Sequence, residues 1–314
     1  MILTPKVSLG LNIDSNRIRL IRMDNNSFCK KGIVEHIPNG LIAKDGILSE
    51  DLLGKHIKEI IKLYKIREKR CALCLPAHYV TIIGINLPKM EKEILMANIH
   101  YDIKEYLPLE PENYIIDYRI MNTSVVNDIE YWNILVVAVL KEIITSYIRV
   151  LKKAGLKPIY LDIPFNCIQK LLVKFANDSK QSLLKNENIC FVDLEHYYND
   201  IIILKKGIYF ANRIVVNDKE KPDLYQIKNE ILGVIKYFNN QATGDNQLNH
   251  IIVFGEEEIS WKLLELLKLN LQSDVSLWTD WINFNELFSD YYADKEVIMS
   301  LSKAIGSTIR RIAP

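Results

Sequence analysis

Alternating apolar and polar positions predict a strand pair at the start of the chain. The segments VSLGLNID and RIRLIRMDN each place an apolar side chain at about every second residue. A period of two directs those side chains to one face, as in a half-buried strand. We therefore predict a hairpin that turns around Ser15 and Asn16, and a third strand in SFCKKGIVEHIP.

A helical period follows these strands. Apolar residues recur at helical spacing between Ser49 and Tyr64, and Ser49 is placed to accept a hydrogen bond at the start of the helix. The strand-like segment RCALCLP comes next. Strands, a helix and a further strand predict one α/β lobe over residues 1–80.

The next block of the chain has a different order of elements. Residues 81–163 predict strand, helix, two strands, helix and strand, which is typical of a small α+β module. The helical pattern NCIQKLLVKFAN then resumes the first lobe over residues 164–185. We predict that the β-α-β-β-α-β module is inserted into the first lobe.

A second pair of alternating segments opens the remaining half. The segment ICFVDLEHYYNDIIILKKGIYFANRIVV has the form of the opening hairpin, which indicates a weak internal repeat. A helix, the strand HIIVFG, another helix and the final helix EVIMSLSKAIGSTIRRI follow. We assign residues 186–314 to a second lobe and leave open that its last helix packs on the first lobe.

Composition narrows the class of protein. The chain has 314 residues, 49% of them hydrophobic and 25% charged, with a net charge of +1. These values are ordinary for a globular protein, and they give no general attraction to nucleic acid or lipid. The N-terminus lacks a signal-peptide pattern, and the apolar run ILVVAVL is far shorter than the ~20 residues of a membrane-spanning helix. We expect a cytoplasmic protein.

Cysteine and histidine indicate no catalytic or metal site. Cys71 and Cys74 form a C-x-x-C, but strand alternation places them on opposite faces. We expect buried structural thiols in a reducing compartment. The six histidines show no ligand spacing, and no Ser-His-Asp or Cys-His grouping is supported.

One turn has the form of a phosphate site and the wrong charge. The segment NHIIVFGEEEIS combines a buried strand, Gly255 and a helix start, where backbone N–H groups and the helix dipole favour an anion. Glu256, Glu257 and Glu258 follow at once, and carboxylates repel a phosphate. We expect these carboxylates to face solvent or to cap the helix, and the turn to hold no nucleotide.

Two lobes that each begin with a hairpin at an acidic residue resemble the actin-like ATPase superfamily. Within it, the chain resembles the type IV pilus assembly protein PilM family. The segments that carry this resemblance are LGLNIDSNRIRLI, YLPLEPENYIIDY, VAVLKEIITSYIRVLKKAGLKPIYLDIPF, VDLEHYYNDIIILKKGIYFANRIV and VFGEEEISWKLLELL. They are colinear over nearly the whole chain. The resemblance implies a two-lobed actin-like α/β fold with the inserted module in its first lobe.

The nucleotide motifs depart from the family pattern. The usual acidic residue of the first loop falls on Asn12, and the usual glycine falls on Asp14. Glycines of the other two loops fall on Glu195, Glu256 and Glu257. The ~15 residues between the second hairpin and the next helix cannot rebuild the helical subdomain that covers the base, so this subdomain is truncated.

These departures imply a degenerate nucleotide cleft. Its residues are Asn12, Asp14, Ser15, Asn16, Asp193, Glu195, His196, Gly255, Glu256 and Glu257. We expect neither ATP nor Mg²⁺ to bind, and hence a pseudo-ATPase that is not an enzyme.

The inserted module contains the residues that indicate a binding site for a partner. Its first helix has an apolar end, formed by Tyr101, Tyr106, Leu107, Pro108 and Leu109. Simple core packing explains this end equally well. In the family that the chain resembles, the groove between the first lobe and the insert holds the cytoplasmic N-terminal peptide of PilN, a single-span membrane protein.

The resemblance therefore implies a cytosolic adaptor, held at the inner face of the cell membrane by a PilN-like partner. It would couple the pilus assembly ATPase to the membrane platform. Self-association is left open, and no nucleic-acid partner is expected.

Three alternatives stay open. An active actin-like ATPase or small-molecule kinase would need the missing glycines. A membrane-tethered cytoskeletal protein like FtsA would need an amphipathic C-terminal anchor, whereas IMSLSKAIGSTIRRI has the pattern of a last helix of the fold. The carboxylates could also converge on Mg²⁺ or Ca²⁺, although their spacing specifies no site. The residues concerned are Asp14, Asp193, Glu195, Glu256 and Glu257.

Overall fold

A five-stranded sheet forms the centre of the first lobe. The computed structural model describes residues 7–24, 29–217, 223–241, 247–288 and 295–309. The elements of the first half are β1 (Leu9–Ile13), β2 (Arg17–Met23), β3 (Cys29–His36), β4 (Ile42–Ala43), β5 (Gly46–Ile47), α1 (Glu50–Leu63), β6 (Arg70–Cys74), β7 (Val80–Pro88), α2 (Lys92–Ile103), β8 (Tyr114–Val126), β9 (Ile129–Leu140), α3 (Lys141–Lys153), β10 (Lys157–Asp162), α4 (Pro164–Phe175) and α5 (Asp178–Asn186). The sheet order is β10-β6-β1-β2-β3, with β1 antiparallel to β2 and parallel to β6.

A second five-stranded sheet repeats this plan. The elements of the second half are β11 (Asn188–Asp193), β12 (Tyr198–Lys205), β13 (Ile208–Val216), α6 (Leu224–Gln241), β14 (His250–Phe254), α7 (Glu257–Lys268), β15 (Asp274–Leu277), α8 (Phe284–Leu287), α9 (Lys295–Met299) and α10 (Ser302–Thr308). The order is β13-β12-β11-β14-β15, with β11 antiparallel to β12 and parallel to β14. Each lobe thus joins an opening hairpin to a parallel strand, which confirms the two-lobed α/β fold.

Local signals explain the first lobe. Leu9, Leu11 and Ile13 are fully buried, because β1 lies in the middle of its sheet and is covered on both faces. At the start of α1, the Leu52 N–H donates a 3.3 Å hydrogen bond to Ser49 Oγ, as the capping pattern predicts.

The insert has a sheet and a core of its own. Strands β7, β9 and β8 form an antiparallel sheet in that order, and α2 packs on it around Ile85, Ile99 and Val136. The predicted order of elements along the chain is confirmed, but α3 and β10 leave the module. Helix α3 packs against α1, and β10 pairs in parallel with β6. There it covers an edge that β6 would otherwise expose.

The last helix, α10, is seated in the first lobe by close backbone contact. It lies between β1 and α4. A Cβ on Gly10 would lie 2.1 Å from the Ala304 carbonyl oxygen, and one on Gly306 would lie 2.1 Å from the Cys167 carbonyl oxygen. Packed interiors do not tolerate such distances, so glycine is required at both places. The predicted end of this helix, residues 310–312, lies outside the described residues.

The second lobe is short between its hairpin and its first helix. Strand β13 ends at Val216 and α6 begins at Leu224, so residues 217–223 connect them, which is shorter than the ~15 residues predicted. A helix pair with its connection needs more than twice that length, which agrees with the predicted truncation. Residues 218–222 lie outside the described residues.

One continuous apolar core runs through both lobes and α10. Phe191 and Phe254 meet edge to face in the second sheet, and Phe254 stacks parallel to Trp278. The five cysteines are buried free thiols, as predicted. Within the described ranges, no helix is long and apolar enough to cross a membrane.

Candidate functional site

In the first hairpin, an arginine forms hydrogen bonds with two side chains of the same hairpin. Asn12 and Arg19 lie directly opposite each other on β1 and β2. The Arg19 guanidinium donates to Asn12 Oδ1 at 3.3 Å and to Asp14 Oδ2. Asp14 Oδ1 accepts hydrogen bonds from the backbone N–H of Asn16 at 2.9 Å and of the next residue at 2.8 Å, and Ser15 lies half-buried in the turn. Asp14 therefore holds the turn, and Arg19 balances its charge.

Two carboxylates of the second lobe surround Lys303. Asp193 ends β11, and Glu195 follows two residues later. The Lys303 ammonium on α10 donates to Asp193 Oδ2 at 2.7 Å and to Glu195 Oε1. All three side chains are buried. Because a buried charge is stable only with a partner, this lysine and these carboxylates depend on one another.

Asparagines fix the backbone after β11. The Glu195 N–H donates to Asn199 Oδ1 at 3.2 Å, and Asn217 Nδ2 donates to the His196 carbonyl oxygen at 2.8 Å. Asn199 Nδ2 completes the network with a 2.8 Å bond to Asn217 Oδ1. The His196 ring packs on Tyr197 with centroids 4.5 Å apart. Side-chain amides of the protein itself therefore satisfy the backbone hydrogen-bonding groups of this turn.

Gly255 allows two turns of the second lobe to approach closely. Its φ is +130°, a conformation that L side chains rarely adopt. A Cβ there would lie 2.8 Å from the Leu194 carbonyl oxygen. The glycine is thus explained by contact with Leu194. Glu257 lies in the first turn of α7, where a negative charge is favourable.

Ion pairs across the cleft correct part of the prediction for the carboxylates. Glu256, Glu257 and Glu258 are predicted to face solvent or to cap the helix. Glu256 instead lies 3.0 Å from Nη2 of Arg17 and 3.8 Å from Nη2 of Arg19. Glu195, which the resemblance places at the cleft, is buried against Lys303. The cause is that β2 and α10, which are distant in sequence, bring cations to these carboxylates.

The same ion pairs bear on the metal alternative. Asp14, Asp193 and Glu195 each bond a cation of the chain. In the part of the chain that the structure describes, no three His, Cys, Asp or Glu side chains are grouped to hold a metal ion. One oxygen atom of each of these three carboxylates is engaged by an ammonium or guanidinium group.

The buried charged side chains of the described residues all belong to one set, which we call the cleft charge cluster. They are Asp14, Arg19, Asp193, Glu195, Asp200 and Lys303. Burial opposes ionisation of Asp14, but Arg19 and the turn hydrogen bonds outweigh it and lower the pKa of Asp14. Burial raises the pKa of Glu195 to about 7, although Lys303 opposes this shift. Burial thus favours the protonated form of Glu195, whereas Arg19 favours the ionised form of Asp14.

Asp193 and Asp200 place two carboxyl groups opposite each other across two strands. They lie opposite each other on β11 and β12, and Asp193 Oδ1 has no hydrogen-bond partner. Burial, with Asp193 and Glu195 nearby, raises the pKa of Asp200 to about 7, against the opposing effects of Asn212 and Lys303. Asp200 therefore holds a proton at pH 5 and loses it near pH 7.

Asp200→Asn is expected to stabilise the protein at pH 8. A carboxyl whose pKa is raised on folding stabilises the fold below its unfolded pKa, and this contribution is lost as pH rises through about 7. Asparagine avoids that loss because its side chain does not ionise. The free energy of unfolding at pH 8 should rise by roughly 1–3 kcal/mol, and by less at pH 5.

Urea unfolding at both pH values measures this effect. Asp51→Asn, at an exposed carboxyl, is the control for a change in net charge. If wild type and Asp200→Asn lose equal stability between pH 5 and pH 8, Asp200 does not carry the proton.

Aromatic contacts also join the two lobes. The His78 ring of the first lobe stacks on Tyr198 of β12, with centroids 3.8 Å apart. The Tyr198 hydroxyl donates to the Lys44 carbonyl oxygen at 3.2 Å. Burial lowers the pKa of His78 to about 4, so its ring is neutral at pH 7 and needs no counter-ion.

The residues predicted to bind a partner divide into exposed and buried sets. Tyr101, Tyr106 and Leu109 are 81%, 59% and 52% exposed, and Pro108 is exposed as well. Leu107 is 8% exposed and belongs to the core of the insert. The short 3₁₀ turn after α2 precedes it, and Leu107 packs in the core of the insert.

The sequence patterns did not identify the residues that pair with the carboxylates and backbone groups of the cleft. Arg19 and Lys303 supply its cations, and Asn199 and Asn217 hold its second turn. A signal for Lys303 was present, because SKAIGST is a helix of small and apolar residues with a single cation. A lysine in such a helix is buried and needs a carboxylate.

Solved structures share this architecture. The PilM-PilN type IV pilus biogenesis complex gives a TM-score of 0.82 at 17% identity, covering 99% of this chain and 100% of that chain. A Bacteroides thetaiotaomicron protein with an actin-like ATPase fold and unknown function gives 0.54 at 13% identity, covering 90% and 94%. The ethanolamine utilization protein EutJ from Carboxydothermus hydrogenoformans gives 0.53 at 10% identity, covering 98% and 90%. These likenesses establish an actin-like fold.

The family follows from the sequence match. The chain matches no curated protein sequence. A family profile described as type IV pilus assembly protein PilM matches residues 10–214, which run from β1 into β13 and include the whole insert. Because this match covers more than half of the 314 residues, the chain belongs to the type IV pilus assembly protein PilM family.

Proposed function

We propose that the chain is a cytosolic adaptor of the type IV pilus assembly machine and no longer binds ATP. Its insert binds the cytoplasmic N-terminal peptide of a PilN-like inner-membrane protein, which holds the adaptor at the membrane and near the pilus assembly ATPase. Family membership supports the pilus role, and the structural neighbour that is a PilM-PilN complex supports the choice of partner. The loss of nucleotide binding rests on one observation, the Lys303 ammonium bonded to Asp193 and Glu195.

The cleft residues do not fit ATP with its metal ion. A triphosphate needs donors that are not already engaged and a region of positive charge. The Lys303 ammonium is shared by two carboxylates, and Glu256 engages Arg17. The cleft charge cluster holds more carboxyls than cations, so it offers a triphosphate no net positive charge. These features support the loss of nucleotide binding.

Mg-ATP is expected to leave the melting temperature unchanged. A ligand at one hundred times its Kd would stabilise the protein by about 2.7 kcal/mol, which corresponds to a shift of several degrees. Differential scanning fluorimetry with 5 mM Mg-ATP, together with isothermal titration, measures this. An ATP-binding protein of the actin-like fold serves as the positive control. A micromolar Kd, or about −8 kcal/mol, would show that the cleft is functional.

An exposed apolar surface on the insert supports the partner proposal. Ile94 and Tyr101 are seven residues apart and share one face of α2. Tyr106 and Leu109 follow at the end of this helix, and all four side chains are at least half exposed. Clustered exposed apolar side chains mark interaction sites, and a short peptide with apolar anchors is a ligand of matching chemistry.

Tyr106→Asp or Leu109→Asp is expected to weaken peptide binding by about tenfold or more. Burial of one such side chain against a peptide contributes roughly 1.5–3 kcal/mol, and a factor of ten is about 1.4 kcal/mol. Fluorescence polarisation with a labelled N-terminal peptide of the PilN-like partner measures the Kd. The melting temperature should stay near wild type, since both side chains are exposed.

Two further variants sharpen this test. Leu269→Asp, at an 85% exposed leucine of the second lobe, should leave the Kd unchanged. Leu107→Asp should destabilise the insert, because Leu107 belongs to its core. If stable Tyr106→Asp and Leu109→Asp proteins bind as well as wild type, the peptide site lies elsewhere on the molecule.

A further inference from the structure

The last helix joins the two lobes through packing on one side and charge on the other. Residues 302–307 of α10 are all buried, and the helix lies between β1 and α4 of the first lobe. Its Lys303 side chain nevertheless bonds Asp193 and Glu195 of the second lobe. Lys303 and Asp193 are 110 positions apart in sequence. Helix α10 is therefore attached to both lobes.

The first hairpin makes a second connection of the same kind. Arg17 and Arg19 lie on β2 of the first lobe, whereas Glu256 precedes α7 of the second lobe. The guanidinium nitrogens lie 3.0 Å and 3.8 Å from the Glu256 carboxylate oxygens. Cations attached to the first lobe thus meet carboxylates of the second lobe at two separate points.

Opening of the cleft would separate charges that have little access to water. The Lys303, Asp193 and Glu195 side chains are each at most 4% exposed. Breaking a buried ion pair is strongly unfavourable because it leaves an uncompensated charge, whereas an exposed pair is readily replaced by water. The closed arrangement of the lobes is therefore favoured by these pairs over any arrangement that parts them.

We propose that Lys303, Arg17 and Arg19 form an internal clamp that holds the two lobes in one relative position without a bound ligand. The protein's own ammonium and guanidinium groups do this by bridging the cleft. The clamp makes the arrangement of the lobes independent of nucleotide. It rests on the ion pairs and not on the identity of the partner.

Spin labels on the two lobes test the clamp. Leu52 on α1 and Leu269 at the end of α7 are exposed, and the five native cysteines are buried. Labels attached through Leu52→Cys and Leu269→Cys therefore report on the lobes selectively. Double electron–electron resonance should give one narrow distance distribution, which Mg-ATP does not change. Lys303→Met should broaden it and lower the melting temperature by roughly 5–8 °C.

A neutral variant keeps the test decisive if Lys303→Met does not fold. Asp193→Asn, Glu195→Gln, Lys303→Met and Glu256→Gln together remove the ion pairs at both points of the clamp and keep similar shapes, and such neutral replacements of buried ion pairs are often tolerated. A broadened distribution in this folded variant supports the clamp.

Two results would overturn the clamp. One is a neutral variant with a distribution as narrow as wild type, because apolar packing alone would then fix the lobes. The other is a wild-type distribution that is broad and narrows on addition of Mg-ATP. The Kd for the partner peptide is measured separately, so the clamp and the proposed partner can fail independently.

Discussion

Gly306→Ala is expected to lower the free energy of unfolding by about 3 kcal/mol or more. The added Cβ would lie 2.1 Å from the Cys167 carbonyl oxygen and 2.5 Å from its carbonyl carbon. Both atoms belong to the backbone of α4, which cannot rotate away as a flexible side chain can. Helix α10 must shift instead, and the shift would strain the bonds of Lys303. Urea unfolding followed by circular dichroism measures the loss.

Gly233→Ala is the matched control for this substitution. Gly233 lies inside α6, and a Cβ there would meet no atom within 4 Å. Alanine in a helix interior is favoured over glycine by about 0.5–1 kcal/mol, so this variant should gain stability. A Gly306→Ala protein as stable as wild type would mean that α10 does not pack on α4 as described.

Arg19→Met is expected to cost about 3–5 kcal/mol of stability, the usual effect of breaking a buried ion pair. The change leaves Asp14 buried without its guanidinium and removes the donor to Asn12 Oδ1. Arg22→Met on the same strand is the control, because Arg22 pairs with Glu68 near the surface. Exposed pairs contribute only about 0–1 kcal/mol. Equal effects of the two substitutions would contradict the importance of the buried pair.

The loss in Arg19→Met should depend on pH with a defined sign. Although burial alone would raise it, the pKa of Asp14 is lowered by Arg19 and the turn hydrogen bonds. A carboxyl with a lowered pKa stabilises the fold above its unfolded pKa, and this contribution is lost as pH falls through the folded pKa. The stability difference between wild type and Arg19→Met should therefore be larger at pH 7 than at pH 4.

Local patterns made most of the secondary structure predictable. The first hairpin turn and the N-cap Ser49 each depend on residues close in sequence. The pairing of β10 with β6 could not be derived in this way. An alternating pattern indicates that a segment forms a strand, but it does not indicate which sheet edge the strand pairs with. The burial of Leu107 escaped prediction because an apolar residue after a helix fits a core and a surface equally well.

Only the carboxylate residues of the candidate site were predictable from the sequence. The resemblance placed Asp14, Glu195 and Glu256 at the cleft, since the hairpins and turns that carry them are local motifs. The cations come from elements that the pattern could not connect to them. Lys303 lies in the last helix of the fold, and its pairing with Glu195 requires the position of α10 between β1 and α4. Charge repulsion was therefore expected where the folded chain places ion pairs.

The position of α10 in the chain imposes an order on synthesis and folding. Residues 302–308 are made after all of their partners in β1, β6 and α4, because translation proceeds from the N-terminus. Until they emerge from the ribosome, the groove beside Gly10 stays open and Asp193 and Glu195 lack their cation. Completion of both lobes therefore waits for one short helix at the end of the fold. A ribosome stalled before residue 302 would carry a chain that lacks the helix packed between β1 and α4 and the cation of Asp193 and Glu195.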